Sequence, residues 1–126
     1  MKRRPTDAEL AILRVLWTRG ASTVREVADA MRHQGAYTTV LKTLQIMTEK
    51  GLVRRNVDER THVYEAASSE STMQTQLVAD LMRRAFNGSA ARLVLRALQA
   101  GKTSPDELAE IRRLLDTHGK KTGGRS

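Results

Sequence analysis

The residues with the clearest chemistry lie on the polar side of one short segment, residues 36–50. They are Tyr37, Thr38, Thr39, Lys42, Thr43 and Gln45. Threonine offers a hydroxyl and a methyl group, glutamine pairs with adenine, and lysine binds guanine or a phosphate, so such a helix face suits the major groove of DNA. Tyr37 either packs or donates its hydroxyl to a phosphate. A solvated helix face is the alternative, and the neighbouring elements decide between the two.

Three arginines, Arg54, Arg55 and Arg60, lie just beyond this segment. Apolar residues there alternate with a period of two over residues 52–57 and 61–65, around a polar turn at 58–60, which predicts a β-hairpin that we call the wing. If the segment before it enters the major groove, the wing lies beside the sugar-phosphate backbone or the minor groove. The arginines are therefore candidate phosphate contacts, and simple solvation is the alternative.

Two Thr-x-x-Glu sequences, Thr6 to Glu9 and Thr23 to Glu26, precede these residues and predict the starts of two helices. Apolar residues recur at helical spacing after each start and again in the third segment. They are Leu10, Leu13, Leu16 and Trp17, then Val24, Val27, Ala28 and Met31, then Val40, Leu41, Leu44 and Met47. Three helices and a hairpin within the first 66 residues are the order of a winged helix-turn-helix.

Three further helices are predicted after a polar hinge at residues 68–71, and Ser89 and Ser104 supply N-caps for the last two. Each has a single apolar stripe, so a second copy of the chain offers more surface to bury than a monomer does, although a monomeric subdomain is the alternative. We therefore predict a homodimer formed through the apolar stripes of these helices. The residues are Met73, Leu77, Leu81, Leu93, Val94, Leu98, Leu108, Ile111 and Leu115.

The expected fold is mainly α, with a winged helix-turn-helix followed by a three-helix dimerisation segment. In numbers, a DNA-binding domain covers residues 1–67, a helical dimerisation domain covers 68–118, and a flexible basic tail covers 119–126. Residues 1–67 are expected to fold on their own.

Composition narrows the class of protein further. The 126 residues include 22 Lys and Arg against 14 Asp and Glu, and the net charge of +8 favours a polyanionic partner. Without cysteine, and with three histidines that lack ligand spacing (His33, His62 and His118), neither a metal nor another cofactor is expected. No nucleophile constellation or phosphate loop indicates an enzyme. No long apolar run or export signal appears, so a cytoplasmic location is expected.

Several segments together resemble the penicillinase repressor family, the BlaI/MecI/CopY group of bacterial transcriptional regulators. The segments run through nearly the whole chain and are most specific around Tyr-Thr-Thr-Val and Lys-Gly-Leu-Val. They are residues 6–10, 16–17, 23–27, 36–44, 49–53 and 64, and more weakly 93–95 and 104–115.

The resemblance implies a homodimer that represses genes for β-lactam resistance or copper handling from inverted TACA/TGTA-like repeats. In the β-lactam branch, a membrane-bound sensor metallopeptidase triggers cleavage of the repressor. The copper branch uses a cysteine-rich metal motif, so its route to copper sensing is excluded here. The family cleavage bond joins Asn to Phe in the fifth helix, where this chain has Arg96 and Ala97. A protein-interaction or assembly module and a sequence-neutral DNA-coating protein are the competing functions.

Overall fold

The structure is a computed structural model, and it describes residues 4–31, 36–56 and 60–123, without the side chains of 121–123. The chain divides into two compact units, Met1–Leu81 and Met82–Ser126. The elements are α1 (Asp7–Arg19), β1 (Ser22–Thr23), α2 (Val24–Met31), α3 (Tyr37–Lys50), β2 (Val53–Asn56), β3 (Val63–Ala66), α4 (Glu70–Ala85), α5 (Ala90–Ala100) and α6 (Pro105–Gly123).

The first two helices begin where the Thr-x-x-Glu sequences predict. The Thr6 amide donates to Glu9 Oε1 at 2.8 Å, and the Glu9 amide donates to Thr6 Oγ1 at 3.2 Å. Thr23 and Glu26 make the same reciprocal pair, at 2.9 and 3.1 Å. Each pair satisfies two amides that have no partner within the helix. Both predicted helix starts are therefore confirmed.

The end of α3 sets where the wing begins. Gly51 takes a left-handed conformation with φ of 78°, its amide donates to the Thr48 carbonyl at 3.1 Å, and the Leu52 amide donates to the Met47 carbonyl at 2.9 Å. These two bonds form a Schellman motif, which favours glycine at the left-handed position. The chain reverses within two residues, so the wing starts directly beside the last turn of α3.

The predicted hairpin is present as β2 and β3, which pair antiparallel with Val53 opposite Ala66 and Arg55 opposite Tyr64. A third strand, β1, pairs with the other edge of β3 and gives the strand order β1-β3-β2. This strand was not predicted, because two residues are too few to show an alternating period. The predicted polar turn lies partly outside the described residues.

The buried core of the first unit is formed by aliphatic and methionine side chains apart from one tyrosine. Tyr64 is only 1% exposed and packs in the same cluster as the apolar stripes of the first three helices. Met73 of α4 is also buried, at 3% exposure, and Leu77 packs against the cluster. The start of α4 therefore belongs to the core of the first unit.

The connection into α4 is tied to α1 by a hydrogen bond. The Trp17 indole Nε1 donates to the Ser68 carbonyl at 2.9 Å, and this residue of the apolar stripe is half-buried. The first unit thus extends through Leu81, beyond the domain boundary expected after residue 67. That boundary stays a prediction, and a fragment for testing it is better ended at residue 81.

The last two helices begin at the predicted caps. Ser89 Oγ accepts from the Arg92 amide at 3.1 Å, and Ser104 Oγ accepts from the Glu107 amide at 3.1 Å. The last helix, α6, continues to Gly123 and so includes the first residues of the tail expected from residue 119, whose flexibility stays a prediction. Gly119 costs a helix about 1 kcal/mol relative to alanine but does not end this one.

A buried ion pair joins the beginning of α1 to the end of α3. Lys50 Nζ lies 2.7 Å from Glu9 Oε1 and 3.3 Å from the Arg4 carbonyl oxygen, and the Glu9 side chain is 3% exposed. Burial acts to raise the pKa of Glu9, but the hydrogen bonds from Lys50 and the Thr6 amide outweigh it, so the pKa lies below its ordinary value of 4.5. Glu9 is therefore ionised at neutral pH, and it caps α1 and anchors α3 at once.

We expect Glu9→Gln to lower the free energy of unfolding by about 1.5–3 kcal/mol at pH 7, because a hydrogen bond between charged groups is lost inside the core. The folded-state pKa of Glu9 is depressed, so its contribution is complete above about pH 4.5 and disappears as the pH falls through the folded-state pKa. Urea unfolding of both proteins at pH 7 and pH 3 measures this. Glu26→Gln is the matched control, because Glu26 occupies the same capping position but is exposed. Equal losses in the two variants would contradict a special role of the Glu9–Lys50 pair.

Candidate nucleic-acid interface

One side of α3 is fixed in the core and the other is open to solvent. Val40, Leu44 and Met47 are buried in the core cluster. The opposite side, which we call the outer face of α3, is exposed. It consists of Thr38, Thr39, Lys42, Gln45 and Ile46. Four of the six candidate base-reading residues of this helix therefore lie together on one accessible surface.

Thr43 is less available than its neighbours. It is half-buried, and its Oγ1 donates a hydrogen bond to the Thr39 carbonyl at 2.9 Å. The hydroxyl proton is used within the helix, so Thr43 can offer a partner only an acceptor and its methyl group. Among the candidate readers, it has the smallest capacity for new contacts.

Ile46 belongs to the outer face but was missed in the sequence analysis, which collected polar residues only. Its side chain is 43% exposed although it is large and apolar. It lies four residues after Lys42 and seven after Thr39, which places all three on one side of the helix. An exposed branched side chain at this position is suited to contact the methyl group of thymine. The helical period alone could have identified it.

Two of the wing arginines, Arg54 and Arg55, point to opposite faces of the sheet, because successive side chains of a strand alternate. Arg54 lies opposite Glu65, and its Nε is 3.3 Å from the Glu65 carboxylate. Arg55 instead lines a cleft between α3 and the wing, which it shares with Tyr37, Gln45 and His62. Arg55 thus shares a cavity with α3, whereas Arg54 is paired on the other face of the sheet and Arg60 is exposed at the start of the returning segment.

Residues 4–31, 36–56 and 60–123 contain no group of three side chains able to hold a metal ion. Within the same ranges, no helix has the length and apolar character needed to cross a bilayer. His33 lies outside the described residues.

The predicted dimerisation residues fall into three groups. Met73 and Leu77 pack on the core of the first unit, so their side chains are already engaged. Three are half-buried within the second unit, namely Leu93, Leu108 and Ile111. Four are exposed, at 36–61%: Leu81, Val94, Leu98 and Leu115.

The second unit on its own buries little. No side chain among residues 82–120 is buried, and Leu95 and Leu114 add to the exposed apolar surface at 48% and 59%. The candidate cleavage residues Arg96 and Ala97 are both exposed and lie inside α5, where Arg96 donates to Gln99 Oε1 at 2.7 Å. This unit has more apolar surface than its own packing covers.

Three helices, two of them N-capped by a threonine and glutamate pair, and a three-stranded antiparallel sheet define a winged-helix fold. The fold is also that of a solved MarR family transcription regulator, with a TM-score of 0.51 and 19% identity over 96% of this chain and 76% of that one. The predicted fold class is confirmed.

The chain belongs to the penicillinase repressor family, whose family model matches residues 5–117. It is 27% identical over 124 residues to the penicillinase repressor of Bacillus licheniformis, covering 94% of this chain and 95% of that protein. It is 32% identical over 112 residues to the transcriptional regulator BlaI of Mycobacterium tuberculosis, covering 86% and 80%. The resemblance drawn from the sequence is confirmed, and the family is one of regulators rather than enzymes.

Because Arg54 and Arg55 lie on opposite faces of the wing, a substitution of Arg54 is the control for a substitution of Arg55. We expect Arg55→Ala to reduce the dependence of DNA affinity on salt concentration by about one logarithmic unit of slope, because one phosphate contact is lost. We expect Arg54→Ala to change the slope much less, because Arg54 is already paired with Glu65 on the other face. Affinities measured by fluorescence anisotropy at salt concentrations from about 50 to about 300 mM give both slopes. An equal reduction in the two variants would show that both faces of the wing contact DNA.

Proposed function

We propose that this protein is a homodimeric repressor that binds an inverted-repeat operator through the outer face of α3. The observation that carries the proposal is the placement of that face. The apolar side of α3 is buried in the core, the polar side is exposed, and Arg55 lies in a cleft directly beside the outer face. An α-helix presented in this way fits the major groove, and basic residues next to it bind the backbone.

Within this proposal the outer face reads bases and the wing binds phosphates. Lys42 reaches guanine or a phosphate, Gln45 pairs with adenine, and Thr39 and Ile46 contact thymine methyl groups. Arg55 and Arg60 bind the backbone, with Arg54 a weaker candidate because of its ion pair. The contacts to bases select the site, and those to phosphates hold the helix in the groove.

Dimerisation is supported by the apolar surface of the second unit. Val94, Leu98 and Leu115 are exposed in the single chain, and a second copy would cover them. A dimer brings two outer faces to one operator, so the second half-site binds intramolecularly. Such linkage strengthens binding by about 10²–10⁴-fold without any new contact to DNA.

In this arrangement, cleavage or unfolding of the second unit releases the protein from the operator. Cleavage in α5, at or near Arg96–Ala97, would separate the DNA-binding parts of the two protomers. Each of them would then bind its half-site weakly. Because both residues are helical, a protease needs local unfolding of α5 before the bond enters its active site. A membrane-bound sensor metallopeptidase is the proposed partner in a cytoplasmic location, and genes for resistance to β-lactams are the proposed target, in line with the name of the Bacillus licheniformis relative.

The proposal is tested by titrating the full chain against the DNA upstream of its own gene and against a scrambled duplex of the same composition. We expect a preference of about 10³-fold or more for the upstream DNA at physiological salt. Lys42→Ala and Thr39→Ala should each weaken binding to the preferred site by about 1–3 kcal/mol and change binding to the scrambled duplex much less.

Lys102→Ala is the matched control for the lysine variant, because Lys102 is exposed but lies in the second unit. Similar affinity of the unchanged protein for both duplexes would identify a sequence-neutral DNA-coating protein. Binding to neither would favour a protein-interaction module. Equal losses on both duplexes for Lys42→Ala and Thr39→Ala would exclude these residues as base readers.

A further inference from the structure

Arg25 is held against an aromatic ring at the edge of the α3 outer face. It lies in the first turn of α2, and its guanidinium carbon is 5.0 Å from the centre of the Tyr37 ring. Both side chains are exposed. Tyr37 is the first residue of α3, so the contact joins the beginnings of α2 and α3.

Stacking leaves the chemistry of the guanidinium intact. An arginine in an ion pair gives its charge and some of its donors to a carboxylate, whereas an arginine over an aromatic ring keeps the N–H groups at the edge of its guanidinium available to another partner. Among the described residues, no carboxylate forms an ion pair with Arg25. The adjacent Glu26 is engaged with the Thr23 amide and with Arg19, whose NH2 atom is 3.4 Å from Glu26 Oε2. With no acidic partner in the described part of the chain, Arg25 is a charged donor whose N–H groups are available to a ligand and which lies against the Tyr37 ring.

A second arginine reaches the same cavity from another element. Arg25 of α2, Tyr37 and Gln45 of α3, and Arg55 of β2 line one cleft of about 320 Å³. The cleft therefore carries positive charge on two walls and borders the outer face of α3. Two arginines around an open cleft suit an anion that accepts several hydrogen bonds, and a phosphate group has this chemistry.

We infer that Arg25, oriented by Tyr37, binds a phosphodiester group of the DNA backbone and forms a phosphate clamp together with Arg55. The inference rests on the proposed DNA-binding function and adds a contact from α2 that the sequence analysis did not single out. DNA is the favoured source of the phosphate, because the cleft shares Gln45 with the outer face that faces the bases. Tyr37 acts in this proposal as a positioning residue that packs against Arg25, which is the packing role among the two left open for it.

The test compares the salt dependence of DNA affinity for Arg25→Ala, Arg25→Lys and the unchanged full chain, on the upstream DNA and on scrambled DNA. We expect Arg25→Ala to weaken binding about three- to tenfold on both and to lower the slope by about one. Arg25→Lys should keep the slope but not the full affinity, because an ammonium retains the charge without the planar stack. Arg14→Ala is the control, since Arg14 is also exposed but lines a different groove with Ala30 and Met31.

The role of Tyr37 is tested by a double-mutant cycle. Tyr37→Leu should weaken binding, and Arg25→Ala should then add much less than it does in the unchanged protein, because the stacked orientation is already lost. Fully additive losses would overturn the positioning role, and an unchanged slope in Arg25→Ala, as in Arg14→Ala, would overturn the clamp. Equal affinity of the unchanged protein for both duplexes would reject the proposed operator function alone, since the slope on scrambled DNA still tests the clamp. No binding to either duplex would overturn both.

Discussion

The ion pair between Glu9 and Lys50 is the constraint on which the orientation of α3 depends. A carboxylate that is 3% exposed cannot stay ionised without a partner, and the Lys50 ammonium at 2.7 Å supplies one. Glu9 is held in turn by the capping box of α1. A rotation of α3 about its axis would separate the pair and leave a charge in the core. The buried side of α3, and therefore its outer face, is fixed by this requirement together with the apolar packing.

The position of the wing follows from the end of the same helix. The Schellman motif at Gly51 closes α3 one residue after Lys50 and returns the chain into β2 at once. The strand then alternates, so that Arg55 lines the cleft beside α3 and Arg54 pairs with Glu65 on the other face. The backbone of the strand therefore decides which wing arginine lies beside α3. Arg54 and Arg55 are neighbours in the sequence, but they lie on opposite faces of the sheet.

Local features of the sequence predicted local features of the structure. The caps at Thr6 and Thr23, the three helical stripes and the hairpin depend on residues a few positions apart, and all are present. What could not be predicted depends on long-range contacts. Glu9 and Lys50 are 41 residues apart, Trp17 and Ser68 are 51 apart, and Met73 is buried in a cluster whose helical members precede it by more than 20 residues. The stacking of Arg25 on Tyr37 likewise crosses between two helices, and no spacing rule indicates it.

In the proposed dimer, two outer faces of α3 are joined through the second units and read one operator. Hydroxyl-radical footprinting of the full chain on the DNA upstream of its own gene tests it most directly. We expect two protected patches on one face of the duplex, related by an inverted repeat, with centres about one or two helical turns (~34–70 Å) apart. A single unrepeated patch, or uniform protection along the duplex, would contradict it.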